Sequence, residues 1–362
     1  MPLQIVIGTT AELIKVAPII RRMQSSDYEL ICTKQQGKSL DDLIDNLGFS
    51  RQTRFLHSNR DPLVRLSSVP FWVLRTLIFI SKAIRKPQLE TSRTRRGLVV
   101  HGDTMTALLA ALVGRAKRVD VIHVEAGLRS GTWRNPFPEE ICRRAIGNLA
   151  TIHFAPTLES ASNLRKAPGS VIFTHGNTSR DALFDQLEKT QNLLSKEVKY
   201  GLVTLHRSEL LQNEQILASS LKEIIEVSKV IQIRIVLDER TESVIKGHSL
   251  WSILEVGCVK TYKKLAHREF VEQLINAEFV ITDSGGIQEE CAILGIPCLI
   301  HRRFTERRDG LGISSEISQW IPGAIVDFGE KYVRYRHDSE QKGISPSQII
   351  WRELVERGYV SD

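Results

Sequence analysis

Two hydrophobic patterns alternate along this chain. Short, nearly continuous apolar runs (Leu3–Ile7, Tyr28–Cys32, Gly97–His101, Val119–Val124, Ile152–Ala155 and Val171–Thr174) are separated by longer stretches of helical period. Leu13–Gln24, Thr104–Lys117 and residues 179–195 are examples. Strands that are apolar throughout are buried on both faces, and when they alternate with helices they form a parallel sheet. The pattern restarts after residue 197. Tyr200–Thr204, Ile231–Leu237, Glu255–Lys260, Phe279–Thr282 and Gly295–Ile300 read as strands of a second sheet, with helices over Phe270–Ala277 and Ser345–Gly358. The expectation is an α/β protein of two Rossmann-like, doubly wound domains, residues 1–197 and 198–345, with 346–362 as a closing helix.

Composition narrows the partners. The net charge is +7 with an isoelectric point near 9.2, which suits an anionic ligand. The basic residues are scattered, and the main cluster, Arg85 to Arg96, lacks interleaved aromatics. It reads as an exposed connector, so nucleic acid is not an expected partner. Five cysteines, Cys32, Cys142, Cys258, Cys291 and Cys298, are odd in number and show no CxxC spacing. They read as buried thiols in a reducing compartment, with neither disulfides nor a metal site. The apolar run Val69–Ile80 is too short to cross a membrane and is interrupted by Arg75; a core or partner-facing helix is expected there. Met1 leads straight into a strand without a signal-peptide pattern, so the expected location is the cytoplasm.

Ligands of open α/β sheets bind beyond the carboxyl ends of the strands, so the chemistry is sought there. Asp103 and Glu125 follow two such strands and should emerge side by side, a pair suited to general acid–base work. Asp103 has an equally good alternative as a cap on the helix that follows. Glu139 and Glu140 open another helix, where one of them is accounted for by the helix dipole. Arg143, four residues after Glu139, is placed to orient it. Gly8 to Glu12 forms a turn into a helix N-terminus, an anion site with Thr9 in the turn and Lys15 one turn in. In the second half, His206-Arg207 ends a strand. Asp283-Ser284-Gly285-Gly286 places glycines, open amides and a helix N-terminus together, as a phosphate needs. Glu290, one turn in, can reach back to a ribose. Ser284 as a simple N-cap is the bland alternative.

His101-Gly-Asp-Thr104, His123-Val-Glu-Ala-Gly-Leu-Arg129 with Pro136-Phe-Pro-Glu-Glu140, Val203-Thr-Leu-His-Arg207 and Asp283-Ser-Gly-Gly-Ile-Gln-Glu-Glu290 closely resemble, in order and spacing, the non-hydrolysing UDP-N-acetylglucosamine 2-epimerases. The resemblance runs from about Gly8 to about Gly310. It implies a GT-B arrangement, two domains facing a central cleft, and interconversion of UDP-GlcNAc and UDP-ManNAc. UDP would be eliminated to a 2-acetamidoglucal and added back, supplying a surface polysaccharide precursor.

By resemblance, Asp103, Glu125 and Glu139 are acid/base candidates and His206 a diphosphate or proton-transfer partner. Lys15, Arg143 and Arg207 offset diphosphate charge, and Thr9, Ser284, Gly285, Gly286, Glu290 and Arg307 contact substrate. Gln35 and Gln36 stand where bacterial relatives hold a second UDP-GlcNAc as activator. A homodimer is implied, and no cofactor. The chain departs from the family pattern at Thr10-Ala11 for Arg-Pro, Gln36 for His, Asp238 for His and Arg308 for Pro. These changes keep open a modified UDP-HexNAc as substrate. A hydrolysing epimerase releasing ManNAc and a GT-B glycosyltransferase are further alternatives.

Overall fold

The structure is a computed structural model of the 362-residue chain that describes residues 2–33, 37–56, 69–84, 95–130, 138–190, 198–305, 307–339 and 343–362. The chain folds into two compact units, residues 1–182 with 344–362, and residues 183–343. The first division point falls inside a helix, fifteen residues before the 198 suggested by the strand pattern.

The first unit is a seven-stranded parallel sheet in the order β3-β2-β1-β4-β5-β6-β7. Its strands are β1 (Leu3–Ile7), β2 (Tyr28–Cys32), β3 (Thr53–Phe55), β4 (Gly97–His101), β5 (Asp120–Val124), β6 (Ile152–Ala155) and β7 (Ser170–Phe173). The helices between them are α1 (Thr10–Ile20), α2 (Gly37–Asn46), α3 (Val69–Ala83), α4 (Met105–Ala116), α5 (Glu139–Leu149) and α6 (Leu158–Asn163), and α7 (Thr178–Thr190) follows the last strand. The apolar runs form strands because both sheet faces are covered. Leu3, Ile5 and Ile7 of β1 and Val99 of β4 enter one core cluster, whereas Val6, Leu98 and Val100 enter the other. That alternation is the period of two that a strand imposes.

The second unit repeats the plan with six parallel strands in the order β10-β9-β8-β11-β12-β13. They are β8 (Tyr200–Thr204), β9 (Gln232–Leu237), β10 (Val259–Lys263), β11 (Phe279–Thr282), β12 (Cys298–Ile300) and β13 (Ser315–Ile317). Its helices are α8 (Ser208–Leu211), α9 (Glu214–Ser228), α10 (Glu239–Gly247), α11 (Trp251–Leu254), α12 (His267–Ile275), α13 (Gly285–Leu294) and α14 (Ala324–Lys331). The last helix, α15 (Pro346–Glu356), belongs to the first unit, where Ile350 and Leu354 are buried in its core. Ser345 caps α15, and Ser347 N donates to Asp181 at 2.6 Å.

Both sheets are doubly wound, so each has a point where strand order reverses and a crevice opens at the carboxyl ends. In the first unit that point lies between β1 and β4; in the second it lies between β8 and β11. Some expectations need correction. Cys258 is exposed, while the other four cysteines are buried and all five are free thiols. Asp238, one of the departures, is the N-cap of α10 and accepts from Thr241 N at 2.7 Å. Among the described residues, no helix is long and apolar enough to cross a membrane.

Candidate active site

In the first unit, β1 ends at Gly8-Thr9 and β4 at Gly102-Asp103, neighbours across the reversal point. Glu12 binds the two turns together. Its Oε2 accepts from Gly8 N, Thr9 N and Thr9 Oγ1 at 2.8, 2.8 and 3.0 Å, and its Oε1 accepts from Thr104 Oγ1 at 2.7 Å. Thr9 answers as N-cap of α1, completing a capping box. Glu12 is buried, and burial pushes its carboxyl up against the lowering effect of those hydrogen bonds. It therefore shapes the crevice. Thr9, expected to touch substrate, is held in this box by its hydroxyl.

Asp103 is not the helix cap. Thr104 takes that place, accepting from Ala107 N at 3.1 Å. Asp103 instead pairs with Arg143 of α5, with Oδ2 2.6 Å from a terminal guanidinium nitrogen. Arg143 also lies 3.5 Å from Glu140, not beside Glu139 as the spacing suggested. Glu140 is fully buried and accepts from Ser130 N at 3.1 Å and Arg144 Nε at 2.8 Å, so it is the structural one of the two glutamates. The Oε2 of Glu139 is buried with no hydrogen-bond partner among the described residues. Asp103 and Glu139 both bear on Cys142, whose thiol is pushed up to about 11 by burial first and these two carboxylates next. The two acids thus share one locality at the start of α5.

Glu125 follows β5 in the left-handed backbone region, φ +61°, a conformation that costs a non-glycine residue on the order of 1 kcal/mol. Its Oε2 accepts from Lys15 Nζ at 2.6 Å and lies 3.3 Å from His101 Nε2. Gly127 (φ +83°) makes the next bend, and a Cβ there would stand 2.1 Å from the Ser160 carbonyl oxygen. His123 on β5 is structural: it is buried, its Nε2–H donates to the Gly102 carbonyl at 2.7 Å, and burial lowers its pKa to about 3.

In the second unit the reversal point brings together the ends of β8 and β11. Buried Asp283 accepts through Oδ2 from His206 N at 2.9 Å and Arg207 N at 2.8 Å. Arg207 Nε donates to the Asp283 carbonyl at 3.0 Å. Ser284 occupies the N-cap position of α13, yet its hydroxyl makes no cap hydrogen bond. Thr305, Arg307 and Asp309 are held against this helix start by Gln288. Its Nε2 donates to the carbonyls of Arg307 and Asp309 at 3.1 and 3.0 Å, and its Oε1 accepts from Thr305 at 2.9 Å. Arg307 pairs with Glu289 at 2.6 Å, and a Cβ on Gly285 would come within 3.0 Å of the Arg307 side chain. Glu290 lies 4.0 Å from His267. A glycine turn at a helix N-terminus with a guanidinium beside it has the chemistry that suits a phosphate.

The family model for UDP-N-acetylglucosamine 2-epimerase matches residues 85–318. The chain belongs to the UDP-N-acetylglucosamine 2-epimerase family. It is 32% identical to the UDP-N-acetylglucosamine 2-epimerase of Methanocaldococcus jannaschii over 333 residues, covering 88% of both chains. It is 33% identical to that of Yersinia pestis over 330 residues, covering 84% of this chain and 83% of the other. Among solved structures it resembles the M. jannaschii UDP-GlcNAc 2-epimerase in complex with UDP-GlcNAc and UDP, with a TM-score of 0.81, 28% identity, and 98% of this chain and 100% of that one covered. The Neisseria meningitidis UDP-GlcNAc 2-epimerase bound to UDP-GlcNAc gives a TM-score of 0.82 at 26% identity, with the same coverage. The fold class is therefore the GT-B type, two parallel-sheet α/β domains.

Within each unit the expected residues gather. Asp103 with Arg143 and Glu125 with Lys15 stand at the carboxyl ends of β4 and β5, and Glu139, like Asp103, bears on Cys142. His206, Arg207, Ser284, Gly285 and Arg307 gather in the second unit. Gln35, Gln36 and Glu306 lie outside the described residues. Sequence reasoning assigned no role to Glu12, Asp283 and Gln288. Each is a buried polar residue one or a few positions from an expected one, and buried polar groups usually hold something.

Proposed function

We propose that this chain is a UDP-N-acetylglucosamine 2-epimerase of the non-hydrolysing type. It interconverts UDP-GlcNAc and UDP-ManNAc by eliminating UDP across C1–C2 and adding it back. The observation that carries this reading is the cation pairing of two carboxylates in one crevice, Asp103 with Arg143 and Glu125 with Lys15. Removing a weakly acidic C2 proton needs a base held in place, and returning one to the other face needs an acid. Asp103, Glu125 and Glu139 fill those roles. Lys15, Arg143 and Arg207 offset charge on the departing diphosphate. The Ser284-Gly285-Gly286 turn, with Arg307 and Glu290, holds UDP, and His206 serves the diphosphate or a proton.

The chain acts in the cytoplasm as a homodimer, supplying UDP-ManNAc for a surface polysaccharide. The half-exposed to exposed apolar stripe Phe71, Leu74 and Ile78 on α3 supports the dimer. A second reading, the same reaction on a modified UDP-HexNAc, draws on Thr10 and Ala11 standing where relatives carry Arg-Pro.

The test is product analysis after incubation with UDP-GlcNAc. UDP-ManNAc at equilibrium with substrate is expected. Free ManNAc with UDP would move the chain to the hydrolysing class. Transfer to an added sugar acceptor would make it a glycosyltransferase, and turnover of only a substituted UDP-HexNAc would favour the second reading.

A further inference from the structure

Asp283 is buried, and its two oxygens have different work. Oδ2 is satisfied by the backbone N–H groups of His206 and Arg207, which fixes the carboxylate relative to the end of β8. Oδ1 is also buried, and no hydrogen bond among the described residues reaches it. The group opposite is the imidazole of His206, whose Nδ1 lies 3.3 Å from Oδ1. A buried carboxylate oxygen without a donor is unfavourable, and a small turn of the ring supplies one. A carboxylate only accepts, so the ring nitrogen facing it carries the hydrogen. The His206 side chain is 42% exposed, so its other side opens outward.

We propose that Asp283 is the positioning residue for His206, holding the imidazole as the Nδ1–H tautomer so that Nε2 is the ring atom offered to substrate. Nε2 then accepts and returns a proton, or donates one when the ring is charged, while Asp283 balances the imidazolium. The link to turnover rests on the epimerase reading; the tautomer does not. A purely structural Asp283, closing β8 on β11 through the two amides, is the competing account.

Asp283→Asn separates them. An asparagine keeps an oxygen for the two amides but turns an NH2 group toward Nδ1. The first measurement is the ¹⁵N spectrum of histidine-labelled protein without substrate, at a pH where the ring is neutral. The expected result is the Nδ1–H tautomer at His206 in the native chain and Nε2–H in Asp283→Asn. Native Nε2–H would overturn the proposal. The second is a double-mutant cycle. Asp283→Asn should lower kcat by at least about tenfold, with KM and thermal midpoint unchanged, and should add nothing in a His206→Ala background. Losses that multiply, or a kcat loss tracking a fall in thermal midpoint, would assign Asp283 to structure alone. A chain that turns over no UDP-sugar would refute the epimerase reading, and the tautomer measurement would still decide this one.

Discussion

Asp103 and Glu125 leave adjacent strands, yet each meets a different cation on a different helix. Arg143 reaches Asp103 from α5, and Lys15 reaches Glu125 from α1. Asp103→Asn and Glu125→Gln, which keep shape and remove charge, should each lower kcat by about 10²–10⁴-fold. UDP binding, measured by calorimetry, should stay within a few-fold. Equal losses in binding and kcat would instead place these residues in ground-state recognition. The positions of these acids were legible in the sequence because each follows closely on the end of a buried strand. Their partners were less so. Spacing on α5 pointed Arg143 at Glu139, but the helix turns it to Asp103 and Glu140. The roles of Glu12 and Asp283 were hidden because each depends on amides and hydroxyls brought close only by the fold.

At the scale of elements, the turn proposed to hold UDP phosphate depends on more than α13. Gln288 bridges Thr305, Arg307 and Asp309 and ties them to the start of this helix. Gln288→Ala removes three hydrogen bonds, each worth about 1 kcal/mol net. It should weaken UDP binding by about tenfold or more while leaving the first unit's crevice intact. A titration showing unchanged affinity would mean that the loop holds Arg307 in place without Gln288. The strands and the helices around them were readable because fully apolar runs and helical periods are distinct. The sequence pattern starts β10 four residues early, since only the last two residues of that run, Val259 and Lys260, reach the sheet, and the strand continues to Lys263. The point where the chain passes between units could not be read, because it falls within a continuous helix of ordinary composition.

The whole molecule carries buried neutral imidazoles that make it acid-sensitive. Burial lowers His123 to about 3 and His301 to about 4, and lowers His153 as well. These groups are neutral in the folded chain and take up protons on unfolding. Their contribution is complete above the ordinary histidine pKa near 6.5 and is lost as pH falls from there toward the folded values. His123 alone should withdraw about 2 kcal/mol by pH 5. The thermal midpoint should fall between pH 7 and pH 5, and His123→Gln should flatten part of that slope. A midpoint independent of pH over this range would contradict the burial of these rings.

The central claim is reversible elimination at C2 of a UDP-sugar, and solvent exchange reads it directly. With UDP-GlcNAc in deuterated water, proton NMR should show UDP-ManNAc appearing with deuterium at C2, and deuterium entering the UDP-GlcNAc pool as the reaction reverses. UDP-ManNAc that keeps its original C2 hydrogen, or no exchange at C2 at all, would contradict the account.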